Sequence, residues 1–106
     1  MRQGAYMNVP TNGWSNKKGT ADRVCKCGSW SQHWLNYSNP KLTWPFQCSV
    51  NGCSSRAALG GHVIHKEVPG EKIVPLCNSC NGLTASFNLK DNVQVISANV
   101  AATCGR

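Results

Sequence analysis

From residue 23 onward the chain begins to alternate apolar and polar positions in recognisable ways. Trp30, His33, Trp34 and Tyr37 fall at i, i+3, i+4 and i+7, which predicts a short helix with those four on one face. Ser29 stands just ahead as its N-cap, and Asn39-Pro40 ends it, because a residue before proline is pushed out of the helical region. Residues 45–61 read as turn chemistry around two cysteines. Two brief apolar runs follow, His62-Val63-Ile64-His65 and Ile73-Val74-Pro75-Leu76, with a predicted turn at Pro69-Gly70 between them. Alternation from Val93 to Val100 predicts a last strand, with Cys104 close behind it. Residues 1–22 show neither period; they read as an extended or disordered lead-in with a basic spot at Lys17-Lys18, from which Tyr6 and Trp14 can still dock on the domain.

The length of 106 residues allows one domain, so residues 23–106 are expected to form a single α+β unit of short strands and helices. A mean hydropathy of −0.34 and four Trp argue for a folded core. No apolar run of about 18 residues is present, which predicts no membrane span, and the first 30 residues have no secretory h-region. A soluble, cytoplasmic protein is the expectation. The net charge of +7 favours phosphate-bearing partners, but only 14% of residues are charged, so the balance reflects scarce acids more than massed bases.

Seven cysteines change the picture most. An odd count without a secretion signal favours metal-bound thiolates over a disulfide framework. Cys48-x4-Cys53 and Cys77-x2-Cys80 are two short pairs separated by 23 residues. Two pairs at turns present four soft donors to one tetrahedral ion, so they predict one structural zinc, Zn2+, coupled to folding. Reduced buried cysteines or disulfides are the alternatives. Cys25, Cys27 and Cys104, joined by His33, make a candidate second zinc set. Its alternative is a hydrogen-bonded His33 packed between Trp30 and Trp34 with three free thiols. Trp30, Trp34, Trp44 and Phe46 read as core rather than as base-stacking platforms, since a domain this small has few other large hydrophobes.

The run GGHVI at 60–64 followed by KIVPLCNSCN at 72–81 resembles the HNH, or His-Me finger, endonuclease superfamily, in particular its zinc-stapled endonuclease VII-like branch. The resemblance covers roughly residues 48–90. It implies a treble-clef or ββα-metal core of strand, turn, strand and helix framed by the two Cys pairs. It implies further that His62 is a general base activating water against a phosphodiester, and that Asn81 is a ligand of a catalytic Mg2+. Gly61 departs from the pattern, where many relatives have an Asp as second metal ligand, and Lys72 stands near the place of the middle Asn.

Other roles for the same residues stay open. His62 also fits a core position or a zinc-ligand position, Asn81 a cap for the following turn, and His65 a solvated loop. Three functions follow. One is a metal-dependent endonuclease hydrolysing phosphodiesters. Another is a catalytically inactive zinc module binding DNA or RNA, with Arg56, Lys66, Lys72 and Lys90 among its phosphate contacts together with Lys17, Lys18, Arg23 and Lys26. The third is an adaptor for a protein partner.

Overall fold

The computed structural model describes residues 9–20, 23–38 and 41–105. The expected helix stop at Asn39-Pro40 and the docking of Tyr6 lie outside the described residues. In chain order the elements are β1 (Ser15–Asn16), α1 (Trp30–Tyr37), β2 (Leu59–His65), β3 (Val68–Leu76), α2 (Asn78–Asn81), β4 (Ile96–Ser97) and a 3-10 turn at Val100–Ala102. The four strands form one antiparallel sheet in the order β1-β2-β3-β4, so the protein is a small α+β domain. Among the described residues no helix is long and apolar enough to cross a membrane.

Helix α1 forms where the periodicity places it. The Ser29 hydroxyl accepts the Gln32 backbone N–H at 3.1 Å, and Gln32 in turn bonds Asn36 one turn on. Trp34 and His33 are buried beneath it, while Tyr37 stays exposed at the end of the same face. Each of the four Trp indole N–H groups donates to a backbone carbonyl: Trp14 to Pro10, Trp30 to Arg23, Trp34 to Gln94 and Trp44 to Ala57. This satisfies the one polar atom of each large ring and lets it enter an apolar setting.

The β2–β3 hairpin divides the molecule into two faces. Strand alternation sends Val63, Val74 and Leu76 to one side, where they pack with Trp14, Phe87, Leu89 and the Cys48, Cys77 and Cys80 thiols. It sends His62 and Ile73 to the other side, under Trp30, Trp34 and Ile96. Two adjacent glycines permit the close approach on both sides. A Cβ on Gly60 would lie 2.7 Å from the Trp30 carbonyl carbon and 2.9 Å from the Ser31 nitrogen, so the first turn of α1 rests directly on that backbone. A Cβ on Gly61 would meet Leu76 Cδ1 at 2.4 Å and Asn81 Oδ1 at 2.9 Å on the opposite face.

Several boundaries differ from the sequence reading. The hairpin turns at Lys66-Glu67, and Pro69-Gly70 belong to β3. Residues 69–71 there oppose Ile64 alone, between the pairs Val63↔Lys72 and His65↔Val68. Such a bulge suits a proline, which lacks a donor, and a glycine at φ +81. The predicted strand 93–100 shrinks to Ile96–Ser97, since the Gln94 and Ser97 carbonyls are taken by the Trp34 indole and the His33 ring rather than by a neighbouring strand. Residues before 23 contribute to the packed body: Trp14 is fully buried and Ser15–Asn16 pair with Ile64 and Val63. Phe46 is 71% exposed instead of core, because it sits on the outer edge of the Gln47↔Arg56 bridge.

The contact at Gly60 yields a stability prediction. Gly60→Ala forces α1 off the sheet and is expected to cost about 1–3 kcal/mol in chemical unfolding. Gly82→Ala, whose Cβ would meet nothing nearer than 3.6 Å, serves as the near-neutral control.

Candidate metal centre

Two local structures deliver the four sulfurs. In the first, residues 48–53 fold as a knuckle: Cys48 N–H donates to Ser55 O at 2.8 Å and Cys53 N–H to Val50 O at 3.0 Å. Gly52 supplies the positive φ of +87 that turns the chain back. In the second, Cys77 is the N-cap of α2, its Sγ accepting the Cys80 backbone N–H at 3.4 Å, which sets Cys77 and Cys80 on the same side of one short turn. The hairpin end at Leu76 then carries this turn against the knuckle, with Ala58 N–H donating to Leu76 O and Ser49 N–H to Pro75 O.

The result is a group of four thiol sulfurs, Cys48, Cys53, Cys77 and Cys80, all within 4.8 Å of one another. All seven cysteines are free of disulfides. The Cys53 and Cys77 sulfurs are 3.8 Å apart. Four sulfurs about 2.3 Å from one ion define a tetrahedron with edges of about 3.8 Å, so the donor set fits a metal ion such as zinc. Burial pushes the Cys48 and Cys80 thiols up, the latter helped by the neighbouring sulfurs. Cys53 moves the other way, to about 7, because the Ser55 amide and hydroxyl stabilise its thiolate.

Lys90 locks the knuckle from behind. Its ammonium donates to the Cys48 carbonyl at 2.7 Å, the Cys53 carbonyl at 2.7 Å and Gln47 Oε1 at 3.3 Å. An ammonium has three donors, and all three are spent here. Lys90, expected as a phosphate contact, therefore braces the cysteine turn. No local pattern marks this role, since the carbonyls lie 42 and 37 residues back along the chain. Three of the other cations expected at a nucleic-acid surface are spread over separate elements: Arg56 on the knuckle hairpin and Lys66 on the β2–β3 turn are exposed, and Lys72 on β3 is half-buried.

His62 and Asn81 do not converge. Asn81 is exposed on the Gly61 side of β2, and the next residue, His62, points to the opposite face. There the Trp30 ring covers the imidazole edge-on with centroids 4.5 Å apart, and His62 is only 6% exposed. Glu71 Oε1 stands 3.3 Å from Nδ1 but outside hydrogen-bonding alignment, so both buried ring nitrogens find no hydrogen-bond partner among the described residues. Desolvation lowers the His62 pKa against the opposing pull of the Glu71 charge. Glu71 is itself raised by burial, but the Arg23 guanidinium paired with it more than offsets this and holds the carboxyl low. His65 is likewise no solvated loop residue. It is buried beside Trp14, with Nε2 donating to Asn12 O and Nδ1 accepting Glu67 N–H.

A second group forms at the other face. Cys25, Cys27 and His33 lie with their donor atoms within 4.8 Å of one another. Comparison of the chain with protein-family models, with curated proteins and with solved structures finds no match.

Three outcomes follow from the centre around Cys48. Removing its ion with a strong chelator is expected to collapse the amide spectrum of residues 45–85. Because Cys48 and Cys80 hold their protons when metal-free, binding expels at least those two, so apparent affinity falls by ~100-fold per pH unit on acidification; competitive titration at several pH values measures this. Lys90→Met removes the donor from two part-buried carbonyls and should cost about 1–3 kcal/mol of stability.

Proposed function

We propose that this protein is a zinc-stapled nucleic-acid-binding domain of treble-clef type, in which β2, β3 and α2 are clamped to the knuckle by Zn2+ on Cys48, Cys53, Cys77 and Cys80. Thiolate-rich tetrahedral donors suit zinc among the common divalent ions, and free thiols suit a reducing compartment such as the cytoplasm.

One observation carries the binding half of this reading. Phe46 is 71% exposed, and the Arg56 guanidinium lies 5.8 Å from its ring centroid. Both flank the cysteine knuckle, joined through the Gln47↔Arg56 bridge, so the metal fixes the surface that presents them. Phe46 also walls an open groove of about 510 Å³ with Leu42 and Pro45, floored by Trp34. An exposed aromatic with a planar cation over its ring is a platform on whose other face an unpaired base can stack while the guanidinium meets its phosphate. The surplus of 11 Lys+Arg over 4 Asp+Glu supplies the longer-range attraction. Single-stranded nucleic acid is the substrate class this arrangement suits best, since a duplex hides the base faces.

Hydrolysis is the lesser reading. The resemblance makes His62 the base and Asn81 a ligand of Mg2+, but the imidazole is roofed by Trp30 and faces away from the carboxamide. Gly61 contributes no carboxylate beside Asn81, and a magnesium ion held by one neutral amide would be weakly bound.

Fluorescence anisotropy with a labelled single-stranded oligonucleotide at ~50 mM and ~200 mM salt tests the proposal. Binding that weakens steeply with salt is expected, with Phe46→Ala and Arg56→Ala each losing about 5- to 150-fold, from about 1–3 kcal/mol per stacked base. Lys90→Met should leave the salt slope unchanged. Absence of binding at the lower salt sinks the proposal and leaves a protein partner at the same groove. Cleavage of the oligonucleotide in Mg2+ that His62→Ala abolishes would instead restore the endonuclease.

A further inference from the structure

We propose that Cys25, Cys27, His33 and Cys104 form a second metal site, of three sulfurs and one nitrogen, that takes zinc and clips the amino-terminal turn and α1 to the end of the chain. It is independent of the Cys48 centre and of nucleic-acid binding.

The three-residue core of the site is already assembled. Cys25 and Cys27 lie on a tight turn in which Gly28 N–H reaches back to Cys25 O at 3.3 Å, and Gly28 takes φ +95 before the Ser29 cap. His33, one turn into α1, brings Nδ1 to 3.7 Å from the Cys27 sulfur. Its other nitrogen, Nε2, is 2.9 Å from the Ser97 carbonyl oxygen. A carbonyl only accepts, so Nε2 carries the proton and Nδ1 presents a bare lone pair toward the sulfurs. That is the arrangement that orients a metal-binding imidazole: one nitrogen held by a backbone oxygen, the other left for the ion.

The surroundings fit a ligand rather than a structural histidine. His33 is fully buried, and among the described residues Nδ1 faces the Cys27 thiol, a poor hydrogen-bond partner for a desolvated nitrogen. The Trp30 and Tyr37 rings flank the imidazole with centroids at 4.9 and 5.0 Å and shield that side from water. An ion gives the lone pair and the thiolates one common partner.

Cys104 would complete the set as the fourth donor. The chain leaves β4 at Ser97, whose carbonyl holds His33, and returns through the 3-10 turn Val100–Ala102, closed by Gly105 N–H on Val100 O. The Cys104 sulfur lies outside the 4.8 Å group formed by Cys25, Cys27 and His33, so the turn that carries it would close by a small shift to make it the fourth donor. Four protein donors make a closed, structural site, with no position left for a reacting water. The ion would hold α1 in place, and through Trp30 keep His62 covered.

Metal counting and thiol mapping test this on the full chain. Protein purified under reducing conditions is assayed for zinc per chain, then alkylated with iodoacetamide before and after chelation, with each cysteine read by peptide mass. Two ions per chain are expected, with Cys25, Cys27 and Cys104 each protected at least about 10-fold until the metal is removed, because a metal-bound thiolate is not free to act as nucleophile. Cys27→Ser should drop the count to one while Cys48, Cys53, Cys77 and Cys80 stay protected. One ion per chain in the unmodified protein overturns the site. So does Cys104 alkylating as fast in the loaded protein as in the stripped one. Both of these readouts use the native chain, so they decide the matter even if the Cys27 variant fails to fold.

Discussion

Strand β2 has to accept a packing layer on each side, and the absence of side chains at Gly60 and Gly61 is what allows both to close. The first turn of α1 lies on Gly60, within about a carbon–carbon contact of its backbone, and Leu76 and Asn81 crowd Gly61 from the other face. Because successive residues of a strand face opposite ways, one glycine serves each layer. The same parity then sends His62 to the helix side and Val63 to the cysteine side. Which residues can cooperate chemically is decided by this alternation before any question of acidity or metal arises.

Each layer is too small to hold itself by apolar burial alone. The face bearing Trp14, Val63, Val74 and Leu76 includes three of the four knuckle and α2 thiols in its packing, so the Cys48 centre is continuous with the core rather than appended to it. The opposite face has Trp34, Ile73 and Ile96 at its centre and the Cys25, Cys27 and His33 group nearby. A small core gains from any cross-link between its layers, and four clustered thiols such as these could supply one by holding a metal ion. Lys90 belongs to the same logic. Its ammonium ties together the Cys48 and Cys53 carbonyls at the two ends of the knuckle.

The buried imidazole and the exposed phenyl ring reverse what their residue types suggest. His62 keeps two unpaired nitrogens under Trp30, an unfavourable burial offset by the packing of Trp30 and by the Glu71 carboxylate nearby. Phe46 stands in solvent beside Arg56, where a ring would ordinarily be drawn inward. Polar atoms buried and apolar atoms exposed are the informative exceptions on a small domain. Here they direct attention away from the His62–Asn81 pair and toward the knuckle rim.

What the sequence by itself determined is what short-range spacing controls. Cys48-x4-Cys53 and Cys77-x2-Cys80 each fold as one turn, so their sulfurs pair whatever surrounds them, and Ser29 with Trp30, His33 and Trp34 writes out a capped helix with a buried face. The tertiary structure alone decided the facing of His62, the burial of Trp14 and His65, the exposure of Phe46 and the engagement of Lys90. Those depend on strand register and on partners dozens of residues away, and a one-residue change in parity reverses them without altering any local pattern.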